Sequence, residues 1–334
     1  MSTATESNPA EDIKVGDFTS RVAVPRVYGD ALVEAARADA RIVCLSADLT
    51  PATETDCFRD TLPARFHNFG IAEANMMGAA GGMASCGEMP FVHTFCVFAT
   101  RRPFDQVAMQ IAYPKANVKI VGFLPGLTTL LGVSHQAIED IALMRALPNM
   151  VIIEPSGTDQ IRAAVRAAAA HDGPVYLRMQ RAAAPLPADF RERELLIGRA
   201  EVRREGGDAV VFACGAMVQI ALDAAAQLAA RGRQVSVVNV HTLKPLDIDT
   251  VVARAQATGV VVTAENHSII GGLGSAVAEA LAEASVGAKF ARIGIRDTFA
   301  EGGSTPYLFE KYGLSAANLV ATLDRLWSTT HGRR

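Results

Sequence analysis

The sequence has 334 residues, 50% of them hydrophobic and 20% charged, a globular balance with chain enough for two cores at ~150 residues per domain. Lys and Arg total 32 against 35 Asp and Glu, a formal net charge of −3, which excludes a basic surface that coats nucleic acid. The five cysteines (Cys44, Cys57, Cys86, Cys96 and Cys214) are scattered, with no Cys-x-x-Cys pair, so they read as free, mostly core-filling thiols in a reducing compartment and not as a disulfide scaffold or zinc site.

In chain order, residues 1–18 are polar and acidic, with no basic start and no apolar run; they read as a disordered arm, not a secretory signal. A helix is predicted over 27–38 and a strand over 41–45, then a helix over 71–85 and a strand over 90–95. A helix over 104–113 precedes a strand at 118–122. The uncharged stretch 120–138 is broken by Gly122, Pro125, Gly126 and Gly132, so it is no membrane span. A helix over 135–146, a strand at 150–153, a helix over 158–170 and a strand at 174–178 complete this set. Apolar β-branched strands alternating with helices predict an α/β fold with a mostly parallel sheet covered on both faces. Residues 182–194, with Pro185, Pro187 and the charged run Arg191-Glu-Arg-Glu194, read as a linker. Strands at 210–213, 235–240 and 260–264, with helices at 217–231, 248–257, 272–284 and 315–326, then predict a second, smaller parallel-sheet domain. The expected plan is therefore an arm (1–18), a first domain (19–181), a linker (182–194) and a second domain (195–330), in a soluble, cytoplasmic protein.

Ligands of open α/β sheets bind beyond the carboxyl ends of the strands. Residues 46–53, 94–102, 122–135 and 178–181 are the places to search. Glu73 begins a helix among Ile71, Ala72, Ala74, Met76 and Met77; helix-dipole stabilisation explains a carboxylate there, and apolar neighbours equally suit a proton-sharing one. The small-residue tract Ala79-Ala-Gly-Gly-Met-Ala84 permits close approach of another backbone, within the chain or between subunits. Phe95 and Phe98 are core aromatics or a platform for a planar ring. His135, at a helix start, is a cap or a ligand to a substrate oxygen, whereas His267 reads as structural. Gly271-Gly-Leu-Gly274 fits a tight turn better than a nucleotide motif. No Gly-x-Ser-x-Gly elbow, metal-ligand spacing or basic–aromatic interleaving is present, which disfavours α/β-hydrolase chemistry, a metal site and a nucleic-acid module.

Seven stretches, in order, carry a resemblance: Ser46-Ala-Asp-Leu-Thr-Pro51, Arg65-Phe-His-Asn-Phe-Gly-Ile-Ala-Glu-Ala-Asn-Met76, Pro90-Phe-Val-His-Thr-Phe-Cys-Val-Phe-Ala-Thr100, Ser134-His-Gln-Ala-Ile-Glu-Asp-Ile-Ala-Leu-Met-Arg145, Leu147-Pro-Asn149, Gly173-Pro-Val-Tyr-Leu-Arg178 and His241-Thr-Leu-Lys-Pro245. From about residue 26 to about 326 the chain resembles the C-terminal half of transketolase, and most of all the separate C-terminal subunit of split transketolases. The resemblance implies a pyrimidine-binding domain over about 19–181, a transketolase C-terminal-like domain over about 195–330, and thiamine diphosphate as cofactor. It implies that Glu73 bonds the pyrimidine nitrogen and shifts a proton there, favouring the imino form of the neighbouring amino group, which takes the thiazolium proton. It further implies that Phe95 and Phe98 pack on the pyrimidine, that Asp48 lies near the cofactor, and that His135 meets substrate oxygens. Arg26 and Arg181 fall where phosphate-binding arginines are expected.

The diphosphate and its Mg²⁺ need, in this family, a Gly-Asp-Gly turn and a later asparagine. This chain contains no Gly-Asp-Gly. The resemblance therefore implies an N-terminal partner subunit that brings that motif, in an α2β2 heterotetramer, with the Gly/Ala tract after Glu73 at the interface. Sugar-using members carry an aspartate where Leu131 stands, a histidine at Phe123 and a serine at Ala52. A less polar substrate pocket is expected, with a ketose phosphate or a 2-oxo acid as donor of a two-carbon ketol or acyl unit. The β subunit of a 2-oxo acid dehydrogenase and a non-catalytic assembly subunit are the alternatives.

Overall fold

The computed structural model describes residues 25–182 and 193–328. The expected arm at 1–18 and residues 183–192 of the expected linker lie outside the described residues. The strands are β1 Ile42–Ser46, β2 Phe66–Asn68, β3 Met89–Phe95, β4 Lys119–Phe123, β5 Val151–Ile153, β6 Val175–Met179, β7 Glu201–Arg204, β8 Ala209–Ala213, β9 Val235–Asn239, β10 Thr242–Lys244, β11 Val260–Ser268 and β12 Lys289–Ile295. A seven-stranded sheet runs β10-β5-β6-β4-β3-β1-β2, and a five-stranded sheet runs β12-β11-β8-β9-β7. Pairing is parallel except for the edge pairs β10–β5 and β7–β9. The result is two mostly parallel-sheet α/β domains, as the alternation of apolar runs and helices predicts. Central strands such as β1, β4 and β6 are buried at every position, since helices cover both faces of a parallel sheet.

The helices are α1 Val27–Ala38, α2 Asp56–Thr61, α3 Glu73–Ser85, α4 Cys96–Thr100, α5 Phe104–Gln106, α6 Asp140–Ala146, α7 Thr158–Ala170, α8 Met217–Ala229, α9 Ile248–Thr258, α10 Leu273–Glu283, α11 Thr305–Lys311 and α12 Ala316–Ser328. A π-helical turn at Val107–Ala112 continues α5. Among the described residues no helix is long and apolar enough to cross a membrane. One predicted element needs correction. The helix expected from residue 135 starts at Asp140 instead, because Ala137 is drawn into bridge pairing with Pro125 and Gly126, and its carbonyl accepts the Gly126 N–H at 3.0 Å. Of the approaches expected of the small-residue tract of α3, the one within the chain is present. A Cβ on Gly81 would lie 2.6 Å from the Gln110 carbonyl oxygen, and one on Gly78 would lie 2.8 Å from Gln110 Oε1, so these glycines let the π-helical turn sit directly on α3.

A polar joint locks the two domains together. Arg178, at the end of β6, is wholly enclosed; its Nε donates to Asp140 Oδ2 at 2.8 Å, Nη1 to Glu154 Oε1 at 2.7 Å, and Nη2 to the Asn266 carbonyl at 3.0 Å. Asn266, on β11, also accepts the Leu127 N–H at 3.0 Å and donates to the Pro125 carbonyl at 3.0 Å. Gly126 (φ 57°) lies between these contacts, where a Cβ would stand 2.2 Å from Asn266 Oδ1. Only glycine combines that left-handed backbone with so close an approach. The joint fixes the loop that follows β4, and with it one wall of the candidate site.

Candidate active site

The site forms at the carboxyl ends of the first sheet, where β2 and β3 hand over to helices. Phe69 N–H still bonds the Ser46 carbonyl at 2.9 Å, so the chain leaves the sheet only at Gly70 and enters α3 at Glu73. Glu73 is 4% exposed and is the first residue of α3. Its Oε1 accepts a hydrogen bond from Arg102 Nη1 at 2.5 Å, and the Arg102 side chain is 46% exposed. β3 ends at Phe95 and α4 begins with the next residue, so one helical turn brings Phe98 back beside Phe95. Their rings stack with centroids 5.9 Å apart and planes 29° apart. The Arg102 guanidinium lies 3.9 Å over the Phe98 ring, a cation–π contact.

His135 completes the cluster from the loop after β4. Its ring meets Phe98 edge-on at 5.1 Å and Phe95 at 6.2 Å, and its Nδ1 lies 2.9 Å from Ser134 Oγ. Partial burial, and then the Arg102 charge, push its pKa below the ordinary 6.5. The imidazole is therefore neutral at pH 7, able to donate from one nitrogen and accept at the other. Glu73, Phe95, Phe98 and His135 are thus brought into one continuous wall, with Arg102 bridging its acidic and aromatic ends.

The other expected site residues are distributed around this wall. Asp48 is exposed, holds φ 59°, and exchanges hydrogen bonds with Asn68, its N–H donating to Oδ1 and its Oδ1 accepting from Nδ2, both at 3.1 Å. Arg26 is ion-paired with Asp56. Arg181 Nη2 donates to the Pro51 carbonyl at 3.3 Å, while its Nε is buried without a partner among the described residues. Both arginines act on Glu54, whose carboxylate accepts the N–H groups of Tyr28 and Gly29; burial raises its pKa, and those bonds and the two arginines pull against that rise. Leu131 is 43% exposed, beside the exposed Leu130 and Val133. Phe123 is a correction: it is fully enclosed, T-packed on Tyr28 at 5.2 Å, and offers no surface to a substrate, because β4 is buried along its whole length. The turn 271–274 is also accounted for within the chain. Glu265 accepts the N–H groups of Leu273 and Gly274 at 2.7 and 2.8 Å, which occupies the start of α10. His267 is enclosed against the Ser268 carbonyl, in keeping with a structural histidine.

Sequence reasoning missed Arg102, the partner of Glu73, and also Arg101 and the Arg178 joint. A signal for the first two existed: residues 89–100 carry no charge, and two consecutive arginines follow directly. The wall fits a planar nitrogen heterocycle. It offers a buried carboxylate for the ring edge and an aromatic face for the ring plane. Among the described residues no group of three His, Cys, Asp or Glu side chains could hold a metal ion.

Known proteins resemble this chain over both domains. Residues 20–187 match the family described as "Transketolase, pyrimidine binding domain", and residues 198–319 match "Transketolase, C-terminal domain". A 6-deoxy-6-sulfo-D-fructose transketolase subunit, SqwH, from Clostridium sp. (strain MSTE9) is 48% identical over 88% of this chain and 91% of its own length. One of the subunits of an apulose-4-phosphate transketolase from Phocaeicola vulgatus is 34% identical over 90% of this chain and 96% of its own. A solved structure described as a split gene transketolase, inactive beta4 tetramer, superposes with TM-score 0.83 at 45% identity, covering 92% of this chain and 98% of that one.

Proposed function

The chain belongs to the transketolase family, and from that premise we propose that it is the C-terminal subunit of a two-chain, thiamine-diphosphate-dependent transferase. The supporting observation is the buried Glu73 carboxylate opening onto the Phe95–Phe98–His135 wall. Thiamine diphosphate, when bound, supplies the carbon nucleophile for transfer of a two-carbon unit. Glu73 holds a proton at the pyrimidine nitrogen, and its burial keeps water from competing for that contact. Phe95 and Phe98 hold the ring plane. A neutral His135 exchanges a proton with the substrate oxygen, and Arg26 and Arg181 frame an anionic tail. Asp48 stands at the rim near the cofactor. The Mg²⁺ and diphosphate ligands come from an N-terminal subunit with a Gly-Asp-Gly…Asn motif, in an α2β2 assembly.

The favoured donor is a ketose with an anionic tail. Two relatives are named for a sulfofructose and for apulose 4-phosphate, and Arg181 has a buried Nε without a partner among the described residues. A second reading, acyl transfer from a 2-oxo acid, draws on the exposed apolar Leu130, Leu131 and Val133. The test is reconstitution of the chain with its N-terminal partner, followed by assays with xylulose 5-phosphate, 6-deoxy-6-sulfo-D-fructose and pyruvate. Turnover of a ketose, and only with both chains and the cofactor present, is the expected result. Turnover of pyruvate alone selects the second reading, and reductive acylation of a lipoyl domain selects a dehydrogenase subunit. Magnesium-dependent cofactor uptake and turnover by this chain on its own would overturn the two-chain proposal.

A further inference from the structure

Arg101 and Arg102 are neighbours in sequence with diverging side chains. Arg102 turns to Glu73, while Arg101, at the C-terminal end of α4, turns to the loop that carries His135. Arg101 Nη1 donates to the Val133 carbonyl at 3.3 Å and Nη2 to the Gln136 carbonyl at 3.1 Å, the two carbonyls that bracket His135. Its Nε and Nη2 also bind both carboxylate oxygens of Glu139, the latter at 3.0 Å. The same guanidinium therefore grips the loop before, after and beyond the imidazole. From the opposite side, the second domain adds two bonds, from Gln136 Nε2 to the Glu301 carbonyl at 2.9 Å and from the Ser268 N–H to the Ile138 carbonyl at 2.8 Å.

We infer that Arg101 is a positioning residue for His135, its planar guanidinium fixing the 133–139 loop so that the imidazole stays edge-on against Phe98. Only an arginine has the fan of N–H donors to bond two carbonyls and a carboxylate together; a lysine is a single point of charge. Apart from the bonds to the second domain, the loop's other anchors lie to either side of the ring: turn bonds from the His135 and Gln136 N–H groups to the Gly132 carbonyl, and, after it, the Ala137 bridge pairing with Arg178 Nη2 donating to the Ala137 carbonyl at 3.1 Å. The groups facing His135 are the Ser134 hydroxyl, the Phe95 and Phe98 rings, and Arg102 with Glu73 behind it. Arg101 touches none of the reacting atoms; its effect passes through the position of the ring. The catalytic part of this inference rests on the role proposed above for His135, and the positional part does not.

Two measurements on the full chain separate these. The first is an NMR titration of the His135 ring in the wild type, Arg101→Ala and Arg101→Lys. The second is kcat and KM of each variant reconstituted with the partner subunit. In Arg101→Ala the ring is expected to escape toward water and titrate near ~6.5, the value of a free histidine, above the wild-type value. The kcat is expected to fall about 10²-fold, as a misplaced catalytic group does, with cofactor affinity retained. Arg101→Lys should lie between. An unchanged titration in Arg101→Ala overturns the inference; if that variant does not fold, an unchanged titration in Arg101→Lys does so. Full turnover by His135→Ala would remove the catalytic role of His135, while the titration still decides whether Arg101 places the ring.

Discussion

Arg102 and Arg178 both bind carboxylates, in opposite surroundings. Arg102 meets Glu73 with one bond at a surface where its own side chain is 46% exposed. Arg178, Asp140 and Glu154 are all closed to solvent. Burial opposes the Arg178 charge, but the two carboxylates outweigh it and hold it ionised. Burial likewise opposes the Asp140 charge, and Arg178 with the Tyr176 hydroxyl brings its pKa below the ordinary range. In the enclosed joint, charge is committed to structure, because nothing from solution can reach it. At Glu73 the arginine can be exchanged for another donor at little cost, since an exposed cation returns to water. Solvent access to the guanidinium, and not the chemistry of the pair, separates the Glu73 carboxylate, in the role proposed for it, from the Asp140 and Glu154 carboxylates.

The largest expected effect tests the working side. Glu73→Gln keeps the shape but removes the proton-accepting carboxylate, and should lower kcat of the reconstituted enzyme about 10²–10⁴-fold, the usual contribution of positioned proton transfer. The melting temperature should hardly move, because Arg102 is left in water. An equal loss of stability would break the comparison. On the structural side, Arg178→Met removes every donor and leaves two carboxylates buried. It should destabilise the chain by ~3–5 kcal/mol in urea titration; a loss under ~1 kcal/mol would mean that the joint contributes little to holding the domains.

The smallest effect sharpens the comparison through pH. Burial raises the pKa of Glu265 from an ordinary 4.5 to about 8, against the opposing N–H bonds of Gly274 and Leu273. The folded chain therefore holds a proton that the unfolded chain loses, so this group's contribution to stability is lost as pH rises from about 4.5 to about 8. Buried His93, His241 and His267 are lowered by burial to about 4 from an ordinary 6.5. There the unfolded chain binds protons that the folded one does not, and stability is lost as pH falls through that window. Opposing slopes should appear in urea midpoints measured across pH, and Glu265→Gln should flatten the alkaline one.

Long, strongly periodic elements were legible in the sequence. The expected 27–38 and 158–170 helices are α1 and α7 without adjustment, and the predicted central strands differ from β1, β4 and β6 by one residue. The elements that escaped are short or paired at an edge. β2 is the three residues Phe-His-Asn, defined by its pairing with β1, and β10 is three residues that leave the second half of the chain to pair with β5. No local pattern marks such strands, since their hydrogen bonds lie with distant partners. Motif order singled out Glu73, Phe95, Phe98 and His135, which the fold brings together, whereas Phe123 lies in the core, because a strand's last residue can face a cleft or a core.

What the sequence determined by itself is the alternation of buried strands and covering helices, the two-domain plan and the family of the chain, all of which depend on local periodicity and ordered motifs. The tertiary structure alone decided which charges meet. Arg101 reaches Glu139, Arg102 reaches Glu73, and Arg178 reaches Asp140, Glu154 and Asn266. Those contacts span separations of 24 to 88 residues. A guanidinium's choice among carboxylates is set by distance and solvent exclusion, and neither exists until the sheets have closed.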